Sequence, residues 1–181
     1  MGHRVMSCGG RPAPLLGLYL FVAGLWTGAL AFFACGAGIV LRAAPTLSVG
    51  GVVNRALLDA LDVGSLAVSG LLLALAVVLN RRRPWSGTSR ALSLRLIALG
   101  AVAAFVSLYL ITPELVALRE KAGPLFETLS AADPLRRAWG RLHALSLLTL
   151  LVRLVSGVAV FALGFRQARA APPVTGAEGT P

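Results

Sequence analysis

Lysine is nearly missing from this chain: Lys121 stands alone beside sixteen arginines. Acidic residues are scarce as well, seven in 181 residues. Charged residues total 13%, against about 25% in an ordinary globular domain. That shortage excludes a soluble fold, whose surface needs charge. Cysteine occurs twice, as Cys8 and Cys35, at no metal-like spacing and in too small a number for a disulfide framework. Both methionines (Met1, Met6) and one of the two histidines (His3) fall in the first six residues. This leaves no cluster of soft ligands for copper or haem. No nucleophile–base constellation, phosphate-binding glycine loop, dinucleotide fingerprint or zinc-protease motif is present, so the chain reads as non-enzymatic and without a cofactor.

What the chain has in abundance is apolar sequence: 57% hydrophobic residues and a mean hydropathy of +0.81. It gathers in four runs, at about 14–41, 62–80, 91–112 and 142–165. A helix needs roughly 20 predominantly apolar residues to cross the hydrocarbon core. Each run is near or above that length. Strands of a membrane barrel alternate and are about half as long, and only helices and closed barrels satisfy their backbone in lipid. The expected fold is therefore all-α: a polytopic membrane protein built as a four-transmembrane-helix bundle. Residues 1–13 form a leader, 14–165 the membrane domain, and 166–181, rich in Pro, Gly and Ala, a disordered tail. The first run carries an Ala-x-Ala at Ala29–Ala31, but about ten more apolar residues follow it, which favours a retained span over a cleaved signal.

A net charge of +10 invites a nucleic-acid reading. The arginines, however, lie mostly just outside the apolar runs and form no aromatic-basic recognition motif. They read as topology determinants facing anionic headgroups, so the partner is the lipid bilayer and not nucleic acid. A second copy or another membrane protein remains open as a further partner. With four spans, the leader, the middle connection and the tail share one side. They hold nine arginines, Arg81, Arg82 and Arg83 among them, against one acid, Glu178. Both termini are expected in the cytoplasm. The arginine-for-lysine bias reads as the codon usage of a GC-rich bacterial genome, which places the chain in a bacterial inner membrane.

Three connections join the runs. Residues 42–61 are semi-polar, with an amphipathic "NRALLDALD"; "NRRRPWSGTSR" carries the turn-formers Pro84 and Gly87; and residues 113–141 mix both signs of charge. Asp133 followed by Pro134 has the form of a helix N-cap with proline in the first turn. The fourth helix thus starts near Pro134 and carries Trp139 through the interface.

The last run, "LHALSLLTLLVRLVSG" onward, contains an arginine eleven residues in. At 100° per residue His143, Ser146, Thr149, Arg153, Ser156, Gly157 and Gly164 share one sector, opposite a face of Leu, Val, Ala and Phe. Arg153 then faces the other helices. A central arginine costs roughly 2.5–3.5 kcal/mol on the insertion scale, and fourteen Leu, Val and Phe residues between Leu142 and Phe165 outweigh it. Matching stripes occur elsewhere: Gly17, Gly24, Gly28, Ala31 and Cys35 in the first run, Asp62, Ser65 and Ser69 in the second, and Gly100, Ala103, Ala104, Ser107 and Glu114 in the third. Gly24, Gly28, Gly100 and Gly157 are the expected points of close helix packing.

The candidate polar site comprises His143, Ser146, Arg153, Asp62 and Glu114. A guanidinium stays charged in any cellular condition, so Arg153 needs a carboxylate, with Asp62 the first choice and Glu114 the second. Two readings stand: an ion pair that locks the bundle, or a polar cavity for a small ligand, ion or proton. His143 reads first as an interfacial, hydrogen-bonded residue; as a haem or metal ligand it is the alternative.

"LWTGALAFF" (25–33), "YLITPELVALRE" (109–120) and "LHALSLLTLL" (142–151) resemble the bacterial family called domain of unknown function 4149, which is similar to the eukaryotic transmembrane protein 205. The resemblance covers residues 15–165 and rests on Trp26, Gly28, Pro113, His143 and Ser146. It implies a small four-span fold with a proline closing the third helix, and no settled activity. Thr149 stands where the pattern implies asparagine. A more distant similarity to copper-resistance and haem-pathway membrane proteins implies the metal alternative at His143.

Overall fold

The computed structural model describes residues 13–82 and 87–169. The leader up to residue 12, residues 83–86 with the expected turn-former Pro84, and the tail beyond Arg169 lie outside the described residues. Five α-helices follow in order: α1 Ala13–Ala43, α2 Leu47–Arg82, α3 Gly87–Val106, α4 Thr112–Ala122 and α5 Pro134–Arg169. Four helical stretches are long and apolar enough to cross a membrane, with α3 and α4 forming one span. The outward faces are apolar, with Phe32 80% and Phe21 65% exposed. An aqueous monomer would not tolerate so much exposed hydrocarbon, whereas lipid favours it. The protein is an all-α, multi-pass four-helix membrane bundle.

The spans form a closed ring. α1 packs on α2 and α5, and α3 packs on the same two helices. The diagonals of the ring are therefore α1–α3 and α2–α5. Close approach of α1 and α5 depends on Gly157, where an added Cβ would come 2.6 Å from Thr27 Oγ1. Gly24 meets the Phe161 ring from the other side of this contact. Trp26 lies on Gly64 of α2. Gly100 sits at ordinary contact distance from Ser156. Gly28 departs from the expected packing stripe: it is exposed, and an added Cβ there would meet nothing within 4 Å. Gly24 is thus the only half of that GxxxG at a helix contact.

Three boundaries differ from the sequence reading. The second span does not begin at residue 62. α2 starts at Leu47, so only Ala44–Thr46 separate it from α1. The semi-polar stretch is its first four turns, supported by an i,i+4 pair of Arg55 and Asp59 at 3.7 Å. Asp62 consequently lies near the middle of a 36-residue helix and not at its mouth. The fourth helix, conversely, stays helical through Arg166–Arg169, which the sequence assigned to the tail.

The third span also does not stop at Pro113. Proline lacks the N–H that would bond four residues back. The chain absorbs this with a π turn over Ser107–Ile111, in which the Thr112 N–H reaches the Ser107 carbonyl five residues earlier. Pro113 then occupies the first turn of α4, where no N–H is required. α4 ends at Gly123, whose φ of 58° reverses the chain. At the start of α5 the expected cap is present: Asp133 Oδ1 accepts from the Leu135 N–H at 2.8 Å.

The core is asymmetric along the bundle. Tyr19, Leu72, Leu75, Leu79, Ile97 and Val160 pack together in the half that holds residues 13, 82, 87 and 169. The other half, toward the Ala44–Thr46 corner, contains a large cavity.

Candidate functional site

The polar centre of the bundle is built by α2, α5 and the π turn. Asp62 from α2 is fully buried, and Arg153 from α5 is 2% exposed. Arg153 Nη1 donates to Asp62 Oδ1. The same nitrogen donates to Ser65 Oγ, one turn further along α2, at 3.2 Å. Ser107 Oγ, in the π turn, adjoins the Asp62 carboxylate without reaching hydrogen-bond geometry. Oppositely charged groups must meet here, because each alone in a low-dielectric interior would cost several kcal/mol. Their contact crosses the α2–α5 diagonal and ties together two helices that are not neighbours in the ring.

The pair is incompletely satisfied by protein. Asp62 Oδ2, Arg153 Nε and Arg153 Nη2 are buried without a hydrogen-bond partner. Beside them lies a small cavity of about 30 Å³, lined by Ser65, Ser69, Ser156, Trp26, Gly100 and Arg153 among others. A buried water needs at least about 10–15 Å³ on this measure and two to four polar partners. The cavity and its serine hydroxyls meet both conditions, so Arg153 lines a site suited to ordered water.

A second buried polar contact crosses the other diagonal. The Tyr19 hydroxyl of α1 and Ser93 Oγ of α3 lie 2.9 Å apart, each residue no more than 1% exposed. Sequence reasoning missed both. The available signal was a tyrosine inside a span: a buried phenol needs a partner for its hydroxyl.

The remaining predicted residues separate from this centre. Ser146 and Thr149 are buried on α5, and Thr149 Oγ1 donates to the Ser146 carbonyl at 2.7 Å. Glu114 is exposed on α4 and makes no contact with Arg153. His143 is exposed, with its ring stacked on Trp139 at a centroid distance of 4.8 Å and 11° between planes. Among the described residues no three His, Cys, Asp or Glu side chains gather as a metal site would need. His143 offers one donor without such company. His143 and Ser146 instead line the large cavity.

The arrangement can hold a fixed dipole at mid-bundle and hydrate it. Compared with protein-family models, with curated proteins and with solved structures, the chain matches none.

Proposed function

We propose that this chain is a non-enzymatic protein of a bacterial inner membrane, with both termini in the cytoplasm, serving as a structural or accessory component and not as a pore. One observation carries the reading. The Asp62–Arg153 contact lies between the large cavity and the closed apolar cluster around Leu72, Leu75, Leu79 and Val160. A conducting protein needs a hydrated path through the bundle, and here the half beyond Arg153 is filled by the packed side chains of Tyr19, Leu72, Leu75, Leu79, Ile97 and Val160. The pair acts as a lock across the diagonal. The arginine cluster 81–83 supports the orientation, and the arginine-rich composition supports the bacterial origin.

Membership of the domain of unknown function 4149 family belongs to the same proposal. It is supported by Trp26, which packs on Gly64 and lines the small cavity beside Arg153, and by His143 and Ser146, which share the large one. The proline of the motif does not close its helix in this chain.

The test is reconstitution in sealed vesicles with a potassium or proton gradient and a fluorescent reporter. Gradients should decay as in protein-free vesicles, and a protein-dependent leak would overturn the non-conducting reading. The same purified protein should be flat in the Soret region. A Soret band that disappears in His143→Ala would establish the haem-handling alternative.

A further inference from the structure

The half-bundle toward the Ala44–Thr46 corner holds a cavity of about 570 Å³ between α1, α2, α4 and α5, partly open to its surroundings. Ligand pockets span about 300–1,000 Å³, so the volume is that of a binding site and not a packing defect. Its walls are apolar, formed by Phe33, Ala37, Leu41, Leu58, Leu115 and Leu150. The charged side chains that line it are all arginines, Arg55, Arg119 and Arg136, of which Arg55 also lies 3.7 Å from Asp59, outside the lining.

These features are ordered by depth. Arg136 and Arg119 lie within one turn of the α5 and α4 ends, where a membrane presents its headgroups. The wall continues down to Leu150, one turn short of Arg153. From Arg136 to Leu150 is about 21 Å at 1.5 Å per residue. An aromatic flank runs along the entrance, with Phe126 edge-on to Trp139 at 5.4 Å and Trp139 stacked on His143. Asn54 adds a second, independent feature. Its Nδ2 donates to the Ala37 carbonyl at 2.9 Å, and its Oδ1 is left buried without a partner beside the cavity.

We propose that this cavity binds one anionic phospholipid. An acyl chain lies along the apolar wall, the phosphate sits among Arg55, Arg119 and Arg136, and a headgroup hydroxyl donates to Asn54 Oδ1. Guanidinium forks match phosphate oxygens in geometry as well as charge. A chain in the cavity fills volume that would otherwise lack contacts. The proposal needs the bundle to lie in a membrane but is independent of its orientation and of whether it conducts.

The experiment is native mass spectrometry of the full chain in nonionic detergent, titrated with phosphatidylglycerol, with phosphatidylcholine of the same acyl chains, and with inorganic phosphate. One phosphatidylglycerol per chain should be retained, at least about tenfold more tightly than phosphatidylcholine. Arg55→Gln with Arg136→Gln, both on exposed side chains, should weaken it about tenfold, with a melting profile shifted only by the small loss of the Arg55–Asp59 pair and the Arg136–Leu129 hydrogen bond. Ala37→Trp, which fills the cavity without touching a charge, should abolish retention. If that variant does not fold, Ala37→Leu should weaken retention instead. Equal binding of both lipids, or full retention in the cavity-filled variant, would mean that lipid coats the outer surface only and would overturn the proposal. Retention of inorganic phosphate that competes with phosphatidylglycerol on equal terms would reassign the arginines to a free anion and overturn it as well.

Discussion

Asp62 and Arg153 meet at mid-bundle from α2 and α5, which face each other across the ring and are not packed side by side. The contact fixes the rotation of both helices about their axes, because any turn of either would separate the charges. Breaking a buried pair by removing one partner costs about 3–5 kcal/mol, whereas replacing both partners with apolar residues is often close to neutral. Arg153→Leu and Asp62→Leu should each lower the melting temperature of the solubilised protein. The double variant should recover much of the loss. Strictly additive losses would show that the two side chains stabilise the bundle separately.

Tyr19 and Ser93 provide the corresponding contact on the α1–α3 diagonal, between uncharged groups. A neutral hydrogen bond contributes about 0.5–1.5 kcal/mol net. Tyr19→Phe keeps the ring in the apolar cluster and removes only the hydroxyl. Its destabilisation in a denaturation series should be smaller than that of Arg153→Leu, and Ser93→Ala on top of it should add little. A loss as large as that of the charged pair would mean that the phenol supports more of the core than one hydrogen bond.

The difference between these contacts also marks what the sequence could reveal. Lipid demands long, solidly apolar runs, and a charge within one must point inward to a counter-charge, so the spans and the Arg153–Asp62 pairing followed from pattern alone. Tyr19 gave only a weak signal, because an aromatic ring in a span is as consistent with lipid as with a core. The beginning of α2 was hidden for a different reason. Helix near the headgroups has no need to be uniformly apolar, and "NRALLDALD" resembles a connection although it is about two and a half turns of helix. Glu114 was misplaced by the π turn. Constant 100° steps put it in line with Gly100 and Ser107, but the extra residue in the π turn rotates everything after it by about 100°. Ser107 and Thr112 are buried, and Glu114 points outward.

The glycines of α1 and α5 separate close packing from small size alone. A Cβ at Gly157 would lie 2.6 Å from Thr27 Oγ1, and Thr27 is held by its hydrogen bond to the Ala23 carbonyl at 2.7 Å. Overpacking of this kind typically costs about 1–3 kcal/mol. Gly157→Val should therefore depress the melting temperature, and Thr27→Ala should restore part of it. Gly28→Leu should leave the melting profile unchanged, since its side chain would extend into open space on the outer face. A destabilising Gly28→Leu would indicate that another molecule covers that face.

The orientation of the bundle rests on charge, and charge can be moved. Arg81, Arg82 and Arg83 adjoin the end of α2, within the range where basic residues govern topology. The opposite end also carries arginines, but it holds five of the seven acids, Asp62 being buried at mid-bundle, and Arg55 there is paired with Asp59. Alkaline phosphatase folds only outside the cytoplasm, where its disulfides form. A fusion after Pro84 should be inactive, and a fusion at Ala131, between the 3₁₀ turn Gly123–Thr128 and α5, should be active. Replacing the three arginines by Gln should then raise the activity of the Pro84 fusion, because the bias that keeps this turn inside would be weakened. Activity after Pro84 in the unaltered chain, with none at Ala131, would invert the proposed orientation. It would also place the arginine-lined cavity on the cytoplasmic face of the membrane.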